Sequence, residues 1–289
     1  MGLRLKFNLV LITVFLVGLG VTGFISYELL HKNARDEVLR NAGVMMEASL
    51  SMRNYTVSQV RPNLAVDPDK FLKQSVPAFG ATEIMSLLRK KYPDYAYKEA
   101  ALNPTNPRNR AVEWESDIVN AFRNTPDRGE ISGVRETPTG RSLYLARPFQ
   151  IKDPNCLACH TNAEMAPAAM VKIYGPSNGF GWQLNEVIGA QIVSVPMDLP
   201  IRNANHAFVT FMSSLTVVFA VLFVILNAML SAMIVQPITQ LSEAADHISK
   251  GRLDAAEFPN KGRDEVSQLG QAFNRMRRSL EKAISLIEK

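Results

Sequence analysis

Two long apolar segments limit what this chain can fold into. Residues 7–30 carry few polar side chains, and residues 207–235 carry no charged side chain. About 20 helical residues cross the roughly 30 Å of hydrocarbon in a bilayer, so each segment is long enough to span it. The sequence therefore predicts a two-pass membrane protein with transmembrane helices at 7–30 and 207–235.

A cleaved signal peptide is the alternative explanation for the first segment. The apolar core of a signal peptide is usually about 7–15 residues long, and a small-residue cleavage site follows it. Here the apolar run is longer, and it ends in the bulky sequence SYELL at 26–30. We therefore predict that this helix is retained in the membrane.

The charge of the N-terminal tail predicts the topology. Residues 1–6 include Arg4 and Lys6, and basic loops stay on the cytoplasmic side of a membrane. Two spans then leave both termini in the cytoplasm, with residues 31–206 in the periplasm of a bacterial inner-membrane protein. The whole chain has 32 basic and 27 acidic residues without a dense basic cluster, so nucleic-acid binding is not expected.

The segment 31–206 has the pattern of an α+β domain. Apolar residues at helical spacing and runs rich in Val, Ile and Leu alternate along it. The sequence predicts helices at 33–60, 81–91 and 112–122, and strands at 95–98, 141–149 and 187–196. Helices packed against a small antiparallel sheet follow from this order.

Residues 236–289 predict a cytoplasmic module of two helices. The first helix follows Pro237 and stops at Gly251, and the second opens at Asp264 and Glu265 after a connector that contains Pro259. The expected seam of the second helix is Val266, Leu269, Phe273, Met276, Leu280, Ala283 and Ile287. Such a heptad pattern predicts a coiled coil that buries its seam against partner helices.

One motif carries chemistry. Cys156, Cys159 and His160 form the sequence C-x-x-C-H, which is the attachment pattern of c-type haem. Two thiols at this spacing bind one porphyrin covalently, and the adjoining imidazole is then the proximal iron ligand. A thioredoxin-like disulfide and a zinc site are the alternatives. The first leaves His160 unexplained, and the second lacks a fourth ligand nearby.

The sequence leaves the distal iron ligand open. The chain has no third cysteine, and His31 and His206 stand at the ends of the predicted spans. Met52 and Met46 on the first outer helix are the candidates, although methionines at helical spacing more often fill a core. A site without a distal protein ligand is the remaining possibility.

Two parts of the chain resemble known families. The outer segment resembles the DUF3365 family of c-type haem domains, which implies a PAS-like sensor fold. The residues that carry this resemblance are MRNYT at 52–56, VRP at 60–62, NP at 103–104, NPRN at 106–109, CLACH at 156–160, GFGW at 179–182 and VPM at 195–197. Residues 236–289 resemble the HAMP domain through Pro237, Gly251, Leu253, Asp264 and Glu265. That resemblance implies a parallel four-helix bundle formed by a homodimer.

These features predict a membrane receptor subunit with one covalent haem c. The haem would sense redox state or a diatomic gas, and the HAMP helices would pass the signal to a separate protein such as a sensor kinase, since no output domain follows in this sequence. A membrane-anchored cytochrome that transfers electrons is the alternative, and a haem-free receptor is a third hypothesis. No catalytic constellation stands out, so we do not expect an enzyme.

Overall fold

The computed structural model describes residues 2–64, 70–125, 127–252, 257, 258, 262 and 264–287. Its contacts divide the chain into two compact units. One consists of Glu28–Ala207, and the other of Met1–Tyr27 together with Phe208–Lys289. Helix α1 (Leu3–Tyr55) contributes residues to both units.

The unit formed by residues 28–207 is an α+β domain, as the sequence predicted. After α1 come helices α2 (Pro77–Lys91), α3 (Glu113–Asn124), α4 (Leu157–His160) and α5 (Ala168–Tyr174), and strands β1 (Ala96–Ala101), β2 (Ile131–Thr137), β3 (Gly140–Gln150) and β4 (Val187–Pro196). Strand β2 and the two short helices α4 and α5 were not predicted.

The four strands form one antiparallel sheet in the order β1-β4-β3-β2. The sequence missed β2 because Gly133 interrupts it and only two residues separate it from β3, so Thr137 pairs with Gly140. Glycine is depleted in strands, so the pattern was weak there. The ring of Tyr144 lies where a side chain on Gly133 would stand, which explains the glycine.

Helices cover both faces of the sheet, and each face has its own core. On one face, residues of β3 and β4 pack against α1 and α2. This core comprises Val38, Ala42, Met46, Ala81, Met85, Tyr97, Leu143, Leu145, Val193, Val195 and Met197. On the other face, α3 supplies Ile118, Val119 and Phe122 to a second core. Because alternate residues of a strand point to opposite faces, β4 contributes Val193 to one core and Ile192 to the other.

Helix α1 ends close to the predicted position. The α-helical hydrogen bonding stops at Tyr55, and a π-helical turn (Thr56–Val60) and a 3-10 turn (Arg61–Asn63) follow it. Pro62 lies in the 3-10 turn, where its missing N–H costs no helical hydrogen bond. The buried stripe of this helix is Ala34, Val38, Ala42, Met46 and Ser49, at spacings of three and four residues.

The second unit contains nearly all of the two apolar segments, 7–30 and 207–235. Helix α6 (Asp198–Leu230) leads through a π-helical turn (Ser231–Val235) to α7 (Gln236–Ser249), and α8 (Glu265–Ile287) is the last helix. By length and composition, the helical stretches Leu3–Asn63 and Asp198–Ser249 could cross a membrane, with mean hydropathy of 2.4 and 2.7 in their most apolar windows. Within this unit α1 packs along α6, as the stacked rings of Phe15 and Phe219 at 4.9 Å illustrate.

Helices α7 and α8 contact each other but leave an apolar stripe uncovered. Leu241 and Ile248 of α7 are buried, and so is Asn274 of α8, which exchanges two hydrogen bonds with the backbone of Phe258. Much of the predicted α8 seam is exposed, namely Leu269, Met276 and Leu280. Gly251 has φ +79° at the end of α7. Leu253 and Pro259 lie outside the described residues.

Phe122 is the largest fully buried side chain of the sheet domain, and its replacement tests the packing of α3. We expect Phe122→Ala to lower the free energy of unfolding by about 3–5 kcal/mol, because it removes buried apolar surface and leaves a cavity. Urea denaturation of the full chain in detergent micelles, followed by tryptophan fluorescence, measures this change. The reporters Trp114 and Trp182 both lie in this domain.

The exposed Asn120 on the same helix supplies the matched control. Asn120→Ala should change the free energy of unfolding by less than about 0.5 kcal/mol. Equal losses in the two variants would contradict a core role for Phe122.

Candidate functional site

The C-x-x-C-H motif lies on a short helical segment. The Asp153 carboxylate accepts a hydrogen bond from the backbone N–H of Asn155 at 2.9 Å, and a 3-10 turn (Pro154–Cys156) then leads into α4. This capping places the two cysteines one turn apart, with His160 at the end of α4. Both thiols are free and partly buried.

The imidazole of His160 is fixed on two sides. Its Nδ1 lies 2.7 Å from the backbone carbonyl oxygen of Gly179. A carbonyl can only accept, so Nδ1 carries the proton and Nε2 keeps its lone pair. The indole of Trp182 stacks on the ring, with centroids 3.8 Å apart and planes 13° apart. A histidine prepared as a metal ligand has this arrangement, in which the second nitrogen sets the tautomer.

Burial keeps all three motif side chains uncharged near neutral pH. It raises the pKa of the Cys156 and Cys159 thiols, and at Cys156 the nearby Asp153 carboxylate raises it further. It also lowers the pKa of His160, against the opposing effect of the Gly179 hydrogen bond. Reactive cysteines of disulfide oxidoreductases have lowered thiol pKa values, so these shifts weigh against the thioredoxin-like alternative.

The motif lines a cavity of about 800 Å³. The end of α1 forms one wall with Leu50 and Asn54, and the sheet forms another with Phe149 and Ile188. Further aromatic and apolar side chains line it, namely Val57, Phe71, Phe79, Met170, Tyr174 and Trp182. Cofactor sites are concave, mostly apolar and about 300–1,000 Å³ in volume, so the size and lining fit a large flat cofactor such as haem.

The described lining of the cavity has more basic than acidic side chains. Among the described residues, its basic members are Arg53, Arg61, Lys70, Lys73, Arg108 and Lys152, and its acidic members are Glu99 and Asp153. These six basic and two acidic groups leave an excess of four positive charges within the described lining. Arginine and lysine form charge-assisted hydrogen bonds with carboxylates. The cavity therefore suits a ligand that carries carboxylate groups as well as a flat apolar body.

A buried ion pair joins α1 to the sheet inside this cavity. Arg53 donates to Glu99 at 2.5 Å, and the hydroxyl of Tyr97 donates to the other oxygen of the same carboxylate at 2.8 Å. The guanidinium of Arg53 also lies 4.6 Å from the ring centroid of Phe149. Burial, together with the Glu99 carboxylate, raises the pKa of Tyr97, so this phenol remains a donor. The network fixes the last turn of α1 against β1.

The distal candidates do not share this cavity with the motif. Met46 is fully buried in the core between α1 and the sheet. Met52 packs beside Gly80 of α2, and neither methionine lines the cavity. Met170 on α5 does line it and is buried. The sequence did not single out this methionine, because α5 was not predicted.

Neither a zinc site nor a second histidine ligand receives structural support. Within the described ranges, no group of three or more His, Cys, Asp or Glu side chains is arranged to hold a metal ion. Among the described residues that line the cavity, His160 is the only histidine. His31 and His206 lie on α1 and α6.

Comparison with known proteins identifies the family. The family model Tll0287-like, described as Tll0287, matches residues 31–196, which is more than half of the chain. The chain belongs to the Tll0287-like family. A second model, for the HAMP domain, matches residues 229–282. Both resemblances predicted from the sequence are therefore confirmed.

Solved structures and curated proteins add one match. The crystal structure of the cyanobacterial heme-protein Tll0287 is similar at 16% identity and a TM-score of 0.45, over 55% of this chain and 95% of that chain. No curated protein matches the chain.

For the ion pair between Arg53 and Glu99, removing one partner should cost more free energy of unfolding than replacing both. We expect Glu99→Leu alone to lower the free energy of unfolding by about 3–5 kcal/mol, because it leaves a buried guanidinium without its partner. Adding Arg53→Met should recover most of this loss, since an apolar pair of similar volume is often neutral or better. Urea denaturation of the full chain in detergent micelles measures both.

The control for this pair is an exposed ion pair of the same domain. Glu136→Leu breaks the contact with Arg141, where both side chains are more than half exposed. It should cost less than about 1 kcal/mol. A double variant no more stable than Glu99→Leu would contradict this expectation.

Proposed function

We propose that this protein is a membrane-bound haem c receptor. Cys156 and Cys159 would attach one haem covalently, and Nε2 of His160 would bind its iron. The observation that carries the proposal is the His160 ring, which the Gly179 carbonyl and Trp182 hold beside two free thiols at the edge of an 800 Å³ cavity. The chain's family shares its name with the heme-protein Tll0287, and this membership supports the cofactor.

The residues of the cavity have distinct tasks in this proposal. Cys156, Cys159 and His160 would hold the haem, which would supply redox chemistry or binding of a diatomic gas at its iron. The basic side chains of Arg61, Lys73 and Lys152 orient its carboxylates, and the aromatic wall excludes water. Arg53 and Leu50 place the end of α1 in the cavity wall. A change in cavity contacts therefore acts directly on α1.

The ends of the domain supply the route for a signal. Helix α1 includes the first apolar segment as well as residues of the cavity wall. Strand β4 carries Gln191 and Ile188 to the cavity, and only Met197 separates its end from α6, which contains the second apolar segment. We propose that residues 31–206 are a periplasmic PAS-like sensor domain, with 1–6 and 236–289 in the cytoplasm and spans at 7–30 and 207–235.

The HAMP module is proposed to act as a homodimer. Leu269, Met276 and Leu280 form an exposed apolar stripe on α8. Burying such side chains contributes on the order of 1.5–3 kcal/mol each, which favours pairing with a second copy into a parallel four-helix coiled coil. Helices at subunit interfaces can shift in small steps. A separate output protein, such as a sensor kinase, would read that change.

A membrane-anchored cytochrome for electron transfer is the second candidate function. The free cysteines and the His160 geometry fit it equally well. The HAMP domain at 229–282 favours the receptor, because an electron carrier needs an anchor but no signalling module. We propose no enzymatic activity and no nucleic-acid partner.

Covalent attachment is the first test of this proposal. Haem should remain on the denatured full-length protein in a gel stain and resist acid–acetone extraction. The variant Cys156→Ala/Cys159→Ala should lose the stain, because no thiol remains to form a thioether. His160→Ala should keep covalent haem but change the Soret band, since the iron loses its ligand.

Exposed Met165 provides a matched control near the motif. Met165→Ala should keep both the stain and the spectrum. Haem that extracts freely from the wild type would rule out attachment through this motif.

Cysteine cross-linking in membranes tests the dimeric HAMP seam. Single cysteines at Leu269 or Met276 should form cross-links between chains at high yield, because both side chains lie on the uncovered stripe of α8. A cysteine at the exposed Lys282, on the opposite side of this helix, should cross-link poorly. Equal yields at all three positions would contradict the seam. If the yields were the same with oxidised and reduced haem, the proposed signal transmission would be contradicted, whereas the proposed dimer would still stand.

A further inference from the structure

We propose that Asn103 is a positioning residue for His160. Its amide bonds the backbone on both sides of the Gly179 carbonyl, which accepts a hydrogen bond from Nδ1 of His160. It thereby tunes how strongly His160 donates electrons to a bound iron. This inference rests on the proposed function, in which His160 binds haem. It adds a residue that is outside the motif and is not among the residues that line the cavity.

Asn103 lies in the loop after β1 and reaches a loop 76 residues further along the chain. Its Oδ1 accepts a hydrogen bond from the backbone N–H of Gly179 at 3.2 Å, and its Nδ2 donates to the carbonyl oxygen of Phe180 at 3.2 Å. The carbonyl of Gly179 lies between these two backbone groups in sequence. A single amide side chain therefore restrains the peptide planes on both sides of the group that bonds His160.

The backbone at Gly179 makes this restraint specific. Gly179 is buried and has φ +83°, a conformation that side chains rarely adopt. A Cβ at this position would overlap Thr105, whose hydroxyl lies 3.4 Å from Nδ1 of His160. The carbonyl direction thus depends on a tight loop in which small rotations of the peptide plane would lengthen the 2.7 Å contact.

Other contacts hold the same loop, and one of them acts on a peptide plane that Asn103 also bonds. The N–H of Gly181 donates to the carbonyl of Thr161 at 2.9 Å, and the N–H of Trp182 donates to that of His160 at 3.3 Å. Arg110 donates to the side chain of Asn178 at 3.0 Å. The Gly181 N–H shares a peptide plane with the Phe180 carbonyl, so the Thr161 contact supports the plane that follows the Gly179 carbonyl as well. The plane before that carbonyl is bonded through the Gly179 N–H to Asn103, whereas the Arg110 contact bonds a side chain.

The expected consequence is a change in reduction potential. A firm hydrogen bond from Nδ1 to a carbonyl makes imidazole a more basic ligand. A more basic ligand favours the oxidised form of an iron centre, and hydrogen bonding around the ligands is one of the protein's means of setting its potential. Loosening the Gly179 carbonyl should therefore move the midpoint potential to a more positive value.

The test uses two asparagine-to-alanine variants of the full-length protein in detergent micelles. Asn103→Ala removes both bonds that flank the Gly179 carbonyl. Asn178→Ala removes an amide from the same loop, with the same change in chemistry and no change in charge, but leaves those bonds in place. Spectroelectrochemical titration gives the midpoint potential of each. For Asn103→Ala we expect the ratio of reduced to oxidised protein at fixed potential to rise about three- to tenfold, the effect of losing about one hydrogen bond.

The control variant distinguishes a specific effect of Asn103 on the Gly179 carbonyl from a general loosening of the loop. Asn178→Ala should shift the ratio by less than half as much as Asn103→Ala on a logarithmic scale. An unchanged potential in Asn103→Ala, or an equal shift in the two variants, would overturn the proposal. Wild-type protein without covalent haem in the gel stain would instead refute the proposed function, so the two failures are distinguishable.

A second readout needs no haem. In the background Cys156→Ser/Cys159→Ser, hydrogen exchange followed by mass spectrometry reports on the peptide that covers residues 176–182. Asn103→Ala should take up deuterium faster there than Asn178→Ala, because the Gly179 N–H loses its acceptor. Equal deuterium uptake in the two variants would overturn the proposed role of Asn103. This result would count even if Asn103→Ala failed to retain haem.

Discussion

Strand β4 is the constraint on which the sheet domain depends. It pairs with β1 on one side and β3 on the other, and nearly all of its residues are buried. Gly189 lets β1 approach so closely that any side chain there would overlap the Ala100 carbonyl. The same register places Glu99 opposite Gln191, and both line the cavity. The strand that contributes residues to both cores therefore also positions Glu99 and Gln191 in the cavity wall.

The buried pair of Arg53 and Glu99 is better understood as a positional device than as a source of stability. Taking two charges out of water costs several kcal/mol per ion, and an apolar pair is often as stable. The geometry, however, is specific, since Glu99 accepts from both Arg53 and Tyr97 while Phe149 covers the guanidinium. Together these contacts tie the last turn of α1 to β1 and β3. The cavity wall thus has a defined register with respect to the sheet.

Much of the architecture was predictable because it rests on periodicity. The apolar segments, α2, α3, β3 and β4 all carry long regular patterns, and the C-x-x-C-H motif is local in sequence. Strand β2 was missed because Gly133 and the short turn before Gly140 weaken its pattern. A helix was predicted at 33–60, but its period did not show that Met46 is fully buried while the neighbouring Met45 is buried only in part. The site could be predicted only as far as its residues are neighbours in the chain. Trp182, Gly179 and Asn103 contact or support His160 from distant loops, and Met170 was missed because α4 and α5 are too short for a clear period.

The composition of the cavity wall bears on the choice between receptor and electron carrier. An electron carrier needs a rigid cofactor site, which any part of the fold could supply. Here the wall draws on Arg53 and Leu50 of α1 and on Ile188 and Gln191 of β4. These two elements are the ones that continue as, or lead directly into, the apolar helices. Packed interiors respond to strain by shifting whole elements rather than by local deformation. A change inside this cavity would therefore act on α1 and β4 together with the other elements that line it. That placement supports the proposed receptor, since an electron carrier does not need a cofactor site connected to both apolar helices.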